Sequence, residues 1–360
     1  MDDIARRILA RHDALDAHAL LAETLNTSAL QSVLLSVHRH RAASRRPAEA
    51  LRGFNPLHQP CAVDARALHR AEGVAYEALA EGVDALDLAL TVPFGAHHAL
   101  AGSPQHNVLS TIRDAELLAD PTVALALEAA RRRREDRGAI VRLASCDRVA
   151  RLQRLEQPGH TRHFRLFALL TAGRDVGSER FRTDAVLEHL GFYIRLLKGL
   201  AAIGYDIRGI EVRVTDTEAV AGLAAAHGVD VHAHKKAAAE ALLDQAGAAL
   251  PRALPPDQLD ALALPPRAVQ RLQHVRDRVF AALQHDHPDV PAAFDLGRVR
   301  QVTYYEGLCF HVFAHGPDGL CLPIADGGLT RWTGALLADR KELAFTSGVG
   351  LELLVKLFDQ

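Results

Sequence analysis

Cysteine, aromatic side chains, net charge and long apolar runs are all scarce in this chain, and each scarcity closes off a class of protein. The four cysteines (Cys61, Cys146, Cys309, Cys321) lie far apart without a CxxC pair, and no charged-then-apolar leader opens the sequence. Reduced thiols and a cytoplasmic location are expected from that usage. No window approaches the roughly 18 uninterrupted apolar residues of a membrane span, so no membrane segment is expected. A formal net charge of −2 and a pI near 6.9 supply no basic field of the kind that drives nucleic-acid binding. What remains is a chain of 360 residues, 49% hydrophobic and 24% charged, able to bury one large core or two modest ones.

Standard chemical signatures are missing as well: no GxGxxG after a strand, no Walker loop, no HExxH. Twenty histidines include the pairs His232/His234 and His285/His287. Both pairs fall in helical sequence, where side chains at i and i+2 diverge, and no cysteine accompanies them; no metal site is expected. Ser347 in "TSGVG" lacks the flanks of a nucleophile elbow and reads as a structural turn residue.

The first 50 residues have helical spacing, and "HRHRAASRR" within them reads as a solvated face or loop. Asp64 can cap a long helix that Gly82 ends. "LDLALTVPF" and "HNVLSTI" look like short strands. In "ADPTVALALEAARRRREDRG", Asp120 caps a helix with Pro121 at its first position, and the arginines 131–134 suit its C-terminal end as a solvated turn, with a phosphate patch as the functional alternative. "HFRLFALLTAG" reads as a strand covered on both faces, residues 183–204 as a helix, and "GIEVRVTD" as an alternating strand. A capping box from Thr215 to Glu218 opens a further helix. Helical sequence then runs to about residue 290, and strands are expected at 302–314 and 319–325, joined by the turn residues of "HGPDGL".

Against an aromatic content of only 5%, "RVRQVTYYEGLCFHVFA" places Arg300 close to the adjacent Tyr304 and Tyr305. The residues alone allow two readings, a lined pocket or a buried tyrosine pair with surface arginines. Three segments in order, "RLQRLEQPGHTRHFRLFALLTAG", "FDLGRVRQVTYYEGLCFHVF" with "ADGG", and "AFTSGVGLELL", resemble motif 2, the histidine-pocket segment and motif 3 of histidyl-tRNA synthetase, a class II aminoacyl-tRNA synthetase. The Arg-x-x-x-Tyr-Tyr-x-Gly pattern is their most specific element. It is shared with the synthetase's non-translating paralogue, the regulatory subunit of ATP phosphoribosyltransferase.

The resemblance implies an α+β, class II synthetase-like antiparallel sheet flanked by helices. It divides the chain into an N-terminal helical extension (1–60), a first core part (61–215), a helical insertion (216–290) and a second core part (291–360). By the same analogy Arg151 is the motif 2 phosphate arginine, Arg162 follows the motif 2 loop, and Thr122 matches the threonine of an Arg-Pro-Glu-x-Thr segment. Gln153, Phe164, Leu166, Leu170, Arg300, Tyr304, Tyr305, Gly328 and Gly350 are the other expected ligand-binding positions, and no residue is assigned a catalytic role.

Departures from the pattern point away from synthesis. Gln153 stands where motif 2 has glutamate, Leu353 where motif 3 has its adenine-stacking arginine, and Leu166 and Leu170 where the synthetase reads histidine with glutamine and glutamate. Two leucines leave an imidazole's polar atoms unpaired. Little sequence follows motif 3, so no anticodon-binding domain and no tRNA partner are expected. The implied function is a non-catalytic regulatory subunit bound to a short-form ATP phosphoribosyltransferase in histidine biosynthesis, as a homodimer or larger assembly, with the motif 1-like helix from Asp64 carrying a two-fold contact. Two alternatives stay open: a stand-alone ligase adenylating another carboxylic or amino acid, the one reading with an ATP and magnesium requirement, and a partner-binding pseudoenzyme.

Overall fold

The computed structural model describes residues 1–153, 161–175, 177, 179–233 and 236–359. Four helices come first: α1 (Asp3–Ala10), α2 (Asp16–Ala19), α3 (Thr27–Ala43) and α4 (Pro47–Arg52). The core then runs α5 (Ala65–Glu77), β1 (Asp84–Leu86), β2 (Thr91–Pro93), α6 (Ala96–Ala101), β3 (Ala115–Leu117), α7 (Pro121–Glu135), β4 (Val141–Ala150), β5 (His163–Arg174), α8 (Arg180–Ala202) and β6 (Gly209–Asp216). Helices α9 (Thr217–Ala226), α10 (Lys236–Gln245), α11 (Pro266–His274) and α12 (Ala281–Asp286) follow. The chain closes with β7 (Ala292–Phe294), β8 (Leu308–His315), β9 (Cys321–Thr330), α13 (Trp332–Leu337), β10 (Glu342–Gly350) and α14 (Leu351–Phe358).

One eight-stranded sheet organises the core, in the order β1-β4-β5-β10-β9-β8-β6-β7. Its interior pairs are antiparallel, and only the edge pairs β1·β4 and β6·β7 are parallel. Strand side chains alternate between faces, so β5 divides its apolar set. Phe167 and Leu169 join a core with α5, α8 and α14, whereas Ala168, Leu170 and Ala172 join a second core with α7 and Trp332. The continuous apolar run at residues 166–170 is thereby buried on both faces.

Local capping chemistry sets most boundaries. Asp120 accepts from Thr122 N at 3.0 Å and Asp64 from Arg66 N at 2.9 Å, and Pro121 begins α7. Three expectations are corrected. Helix α9 is capped by Asp216, which accepts from Glu218 N and Ala219 N, while Thr215 instead donates to Asp295 O at 2.6 Å. Residues 106–112 form no strand; a 3-10 turn at Gln105–Asn107 occupies their start. The strand expected from 302 begins only at Leu308, because Val299–Gln301 is a 3-10 turn and Tyr304 and Tyr305 lie in the turn after it.

The arginine run splits at helical spacing. Arg131 and Arg132 pair with Glu128 at the surface, but Arg133 is fully buried and meets Glu342 with two bonds of 2.9 and 2.8 Å. This tie joins α7 to β10.

Ser347 is likewise no turn residue: it lies inside β10, buried, within a polar chain. Tyr193 donates to Ser347 Oγ at 2.8 Å, and Thr171 donates to Glu188 at 2.9 Å. Since the Thr171 proton is used there, His189 Nε2 must donate to Thr171 (3.1 Å), leaving Nδ1 to accept from Ser347 (2.7 Å). Ser347→Ala removes the partner of two buried groups and should lower stability by about 2–4 kcal/mol in a urea titration.

Burial pushes the His189 pKa down to about 4. The unfolded chain therefore binds this proton first as pH falls from about 6.5, and the neutral histidine's stabilisation is lost progressively towards pH 4. Comparing unfolding of the parent and His189→Gln across that window should show a smaller loss in the variant; equal slopes would contradict a buried neutral histidine.

Candidate functional site

The face of the sheet beneath α7 carries side chains in lateral rows fixed by strand register. One row reads Ala168 (β5), Gly348 (β10), Asp326 (β9), His311 (β8); the next reads Leu170, Thr346, Gly328, Cys309. Glycine at Gly348 and Gly350 leaves the first row and its β10 end without bulk. A pocket of about 400 Å³ opens there, lined by Arg151, Gln153, Phe164, Leu166, Gly350 and Leu353 together with His311, Asp326, Glu352 and Lys356.

Motif 2-like residues border this pocket through ties that fix their direction. Arg151 donates from Nε to Ala119 O at 2.7 Å, approaches Asp120 at 3.5 Å, and sits over the Phe164 ring at 5.3 Å. Its backbone N–H donates to Arg162 O at 2.7 Å, and Arg162 Nη1 donates to Leu152 O at 2.7 Å. Arg162 thus clasps the two arms of the loop. Thr122 is buried, its hydroxyl donating to Asp120 at 2.7 Å.

The second row is filled. Tyr305 is buried, with its ring lying across Gly328, where a Cβ would come within 2.5 Å of the ring. Burial raises both the Tyr304 and Tyr305 hydroxyl pKa values, so both stay protonated at neutral pH. Tyr304 meets Tyr305 edge-on at 4.7 Å and Trp332 at 6.2 Å. Leu170 is wholly buried in the same apolar cluster as Trp332 and Val123, with Tyr304 packed against it.

Arg300 is placed apart from this group. Its side chain is 64% exposed and pairs with Glu240 of α10 at 2.6 Å, whereas Arg298 is buried, donating to Asp326 at 2.9 Å. The structure therefore gathers Arg151, Gln153, Phe164, Leu166 and Gly350 around one pocket, packs Leu170, Tyr304, Tyr305 and Gly328 beside it, and turns Arg300 outward. Sequence reasoning missed His311 and Asp326. Burial, with the charges of Arg298 and Arg213 behind it, pushes the His311 pKa down to about 3, so it presents a neutral imidazole. Alternation along "LCFHVFA" was the available signal, because it puts His311 on the face opposite Phe310 and Val312.

Glu352, nearly unexposed, accepts from Arg165 N at 3.1 Å and pairs with Arg148 at 2.8 Å. No group of three or more metal-ligating side chains occurs among the described residues. His232 lies in a turn and His287 caps α12, while His234 lies outside the described residues. No helix among the described residues is long and apolar enough to cross a membrane.

An antiparallel sheet with paired motif 2-like strands, a glycine-bearing motif 3-like strand and flanking helices is the class II synthetase-like fold. Residues 117–344 match the family model described as histidyl-tRNA synthetase, and the chain belongs to that family. Three solved structures share the fold. Histidyl-tRNA synthetase from Nostoc aligns with a TM-score of 0.61 at 16% identity, over 84% of this chain and 74% of that one. A histidine–tRNA ligase subunit from Alicyclobacillus acidocaldarius aligns at 0.59 and 20%, over 84% and 95%. An ATP phosphoribosyltransferase regulatory subunit/histidyl-tRNA synthetase from Bacillus halodurans aligns at 0.58 and 16%, over 85% and 83%. No curated protein matches the chain significantly.

Proposed function

We propose that this chain is a non-catalytic regulatory subunit that binds a short-form ATP phosphoribosyltransferase and tunes it in histidine biosynthesis, assembled as a homodimer or larger complex. One observation carries the reading: Leu170, at the position where the synthetase reads histidine with a carboxylate, is wholly buried among Trp332, Val123 and Tyr304. Apolar packing at that point leaves no group to pair with an imidazole, and Leu353 offers no cation to stack on adenine. The Bacillus halodurans protein, whose description names both a regulatory subunit of ATP phosphoribosyltransferase and a histidyl-tRNA synthetase, shares the fold. Regulation then requires a ligand whose affinity differs between two states of the complex, and Arg151, Gln153, Phe164, Leu166 and Gly350 are the proposed binding positions.

A second reading, a ligase activating a different acid, draws on the retained Arg151 and the open pocket beside it, where a guanidinium could stabilise charge on an adenylate. Pyrophosphate exchange with ATP and magnesium across a panel of amino and carboxylic acids separates the two. No exchange is expected with any of them; exchange with one acid would establish the ligase and remove the regulatory reading.

A further inference from the structure

The N-terminal arm and one groove of the core are both apolar and both uncovered. Helices α1, α2, α3 and α4 bury no residue. Among the described residues, nine of the thirteen exposed large apolar side chains lie within residues 1–54, Ile4, Ile8, Val33 and Val37 among them. Of the four helices, α1, α2 and α4, of 8, 4 and 6 residues, are marginal in water unless an apolar face is covered. The groove, of about 580 Å³, is lined by Leu57, Pro60, Leu90, Leu109, Leu117 and Leu118. Its wall at residues 57–61 is the chain on which the arm leaves the core, so the arm begins at the groove without filling it.

Charge adds a second match. From Thr24 to Ala48 the arm has no acidic residue but carries Arg39, Arg41, Arg45 and Arg46; from Ala71 to Ile112 the core has no lysine or arginine but carries Glu72, Glu77, Glu81, Asp84 and Asp87. Asp84 is taken by Arg132. Among the described residues, no ion pair links the arm arginines to Glu77, Glu81 or Asp87, and the arm's arginine pairs run to Glu49. The acidic stretch ends at Asp87, just past β1, and the groove residue Leu90 follows three residues later in the chain.

We propose that the arm of one copy docks on the core of a second copy, its apolar stripe in the groove and its arginines along the acidic strip, while the second arm docks back. This exchange is independent of the regulatory reading. It satisfies two complementary surfaces that a single copy leaves open, and a two-fold pair makes the contact twice.

Charge reversal tests it. In sedimentation experiments over a dilution series, an arm variant (Arg39→Glu, Arg41→Glu, Arg45→Glu) and a strip variant (Glu77→Arg, Glu81→Arg, Asp87→Arg) should each self-associate at least about tenfold more weakly than the parent. Mixed in equal amounts, they should recover parental affinity, because each arm then meets a core of opposite sign. A mixture as weak as its components, variants that associate like the parent, or a parent that stays monomeric would each overturn the exchange; docking of the arm on its own core predicts the unrescued mixture. Should a triple variant lose the parent's circular dichroism, the pair Arg41→Glu and Glu81→Arg is read in the same way.

Discussion

Replacing Leu170 with glutamate, the residue that the synthetase pattern carries there, should destabilise this protein by several kcal/mol and should create no histidine site. Leu170 is fully buried between Leu143 of β4 and Thr346 of β10, with Trp332 and Val123 above it. A carboxylate put among those groups loses its hydration and gains no cation, so it stays protonated or drives local unfolding. Leu170→Ala supplies the control for lost volume alone, at about 2–5 kcal/mol. Urea unfolding of the two variants gives both numbers. A near-neutral Leu170→Glu that bound free histidine would mean that the second row opens to a ligand, and the central claim would fail.

Arg133→Ala should have a comparably large effect, about 3–5 kcal/mol, for a different reason. Its guanidinium and the Glu342 carboxylate are both about 1% exposed and joined by two bonds. Removing the cation leaves a buried, uncompensated carboxylate. The double replacement Arg133→Met with Glu342→Leu should recover most of the loss, since the pair's attraction is largely spent against its own desolvation. If the single variant unfolded at the parent's denaturant midpoint, the tie between α7 and β10 would have no structural weight.

Much of the fold was legible because local chemistry and long-range packing agree in it. The Asp120–Pro121 start of α7, the apolar continuity of β5 and the alternation of β6 each name their element without reference to any neighbour. The region around Arg300 was misread because its apolar and aromatic content has strand character, yet Tyr305 lies as a lid on Gly328 and Tyr304 packs on Trp332, neither as a ladder residue. Which arginine faces inward there depends on the three-residue 3-10 turn Val299–Gln301, and nothing in the pattern distinguishes Arg298 from Arg300. Ser347 and Arg133 escaped for a related reason. Each is buried by a partner far away in sequence, His189 for one and Glu342 for the other, so no local signal marks them. Arg151, Phe164, Leu166 and Gly350, from the motif 2 and motif 3 segments, line one pocket because strand register brings them together once the motif strands are paired.

The most direct measurement is titration of the purified chain into a short-form ATP phosphoribosyltransferase, following phosphoribosyl transfer with and without free histidine. The regulatory account predicts a saturable change in turnover that tracks formation of a complex in sedimentation. A transferase that neither binds the chain nor changes its rate at saturating concentration would contradict it.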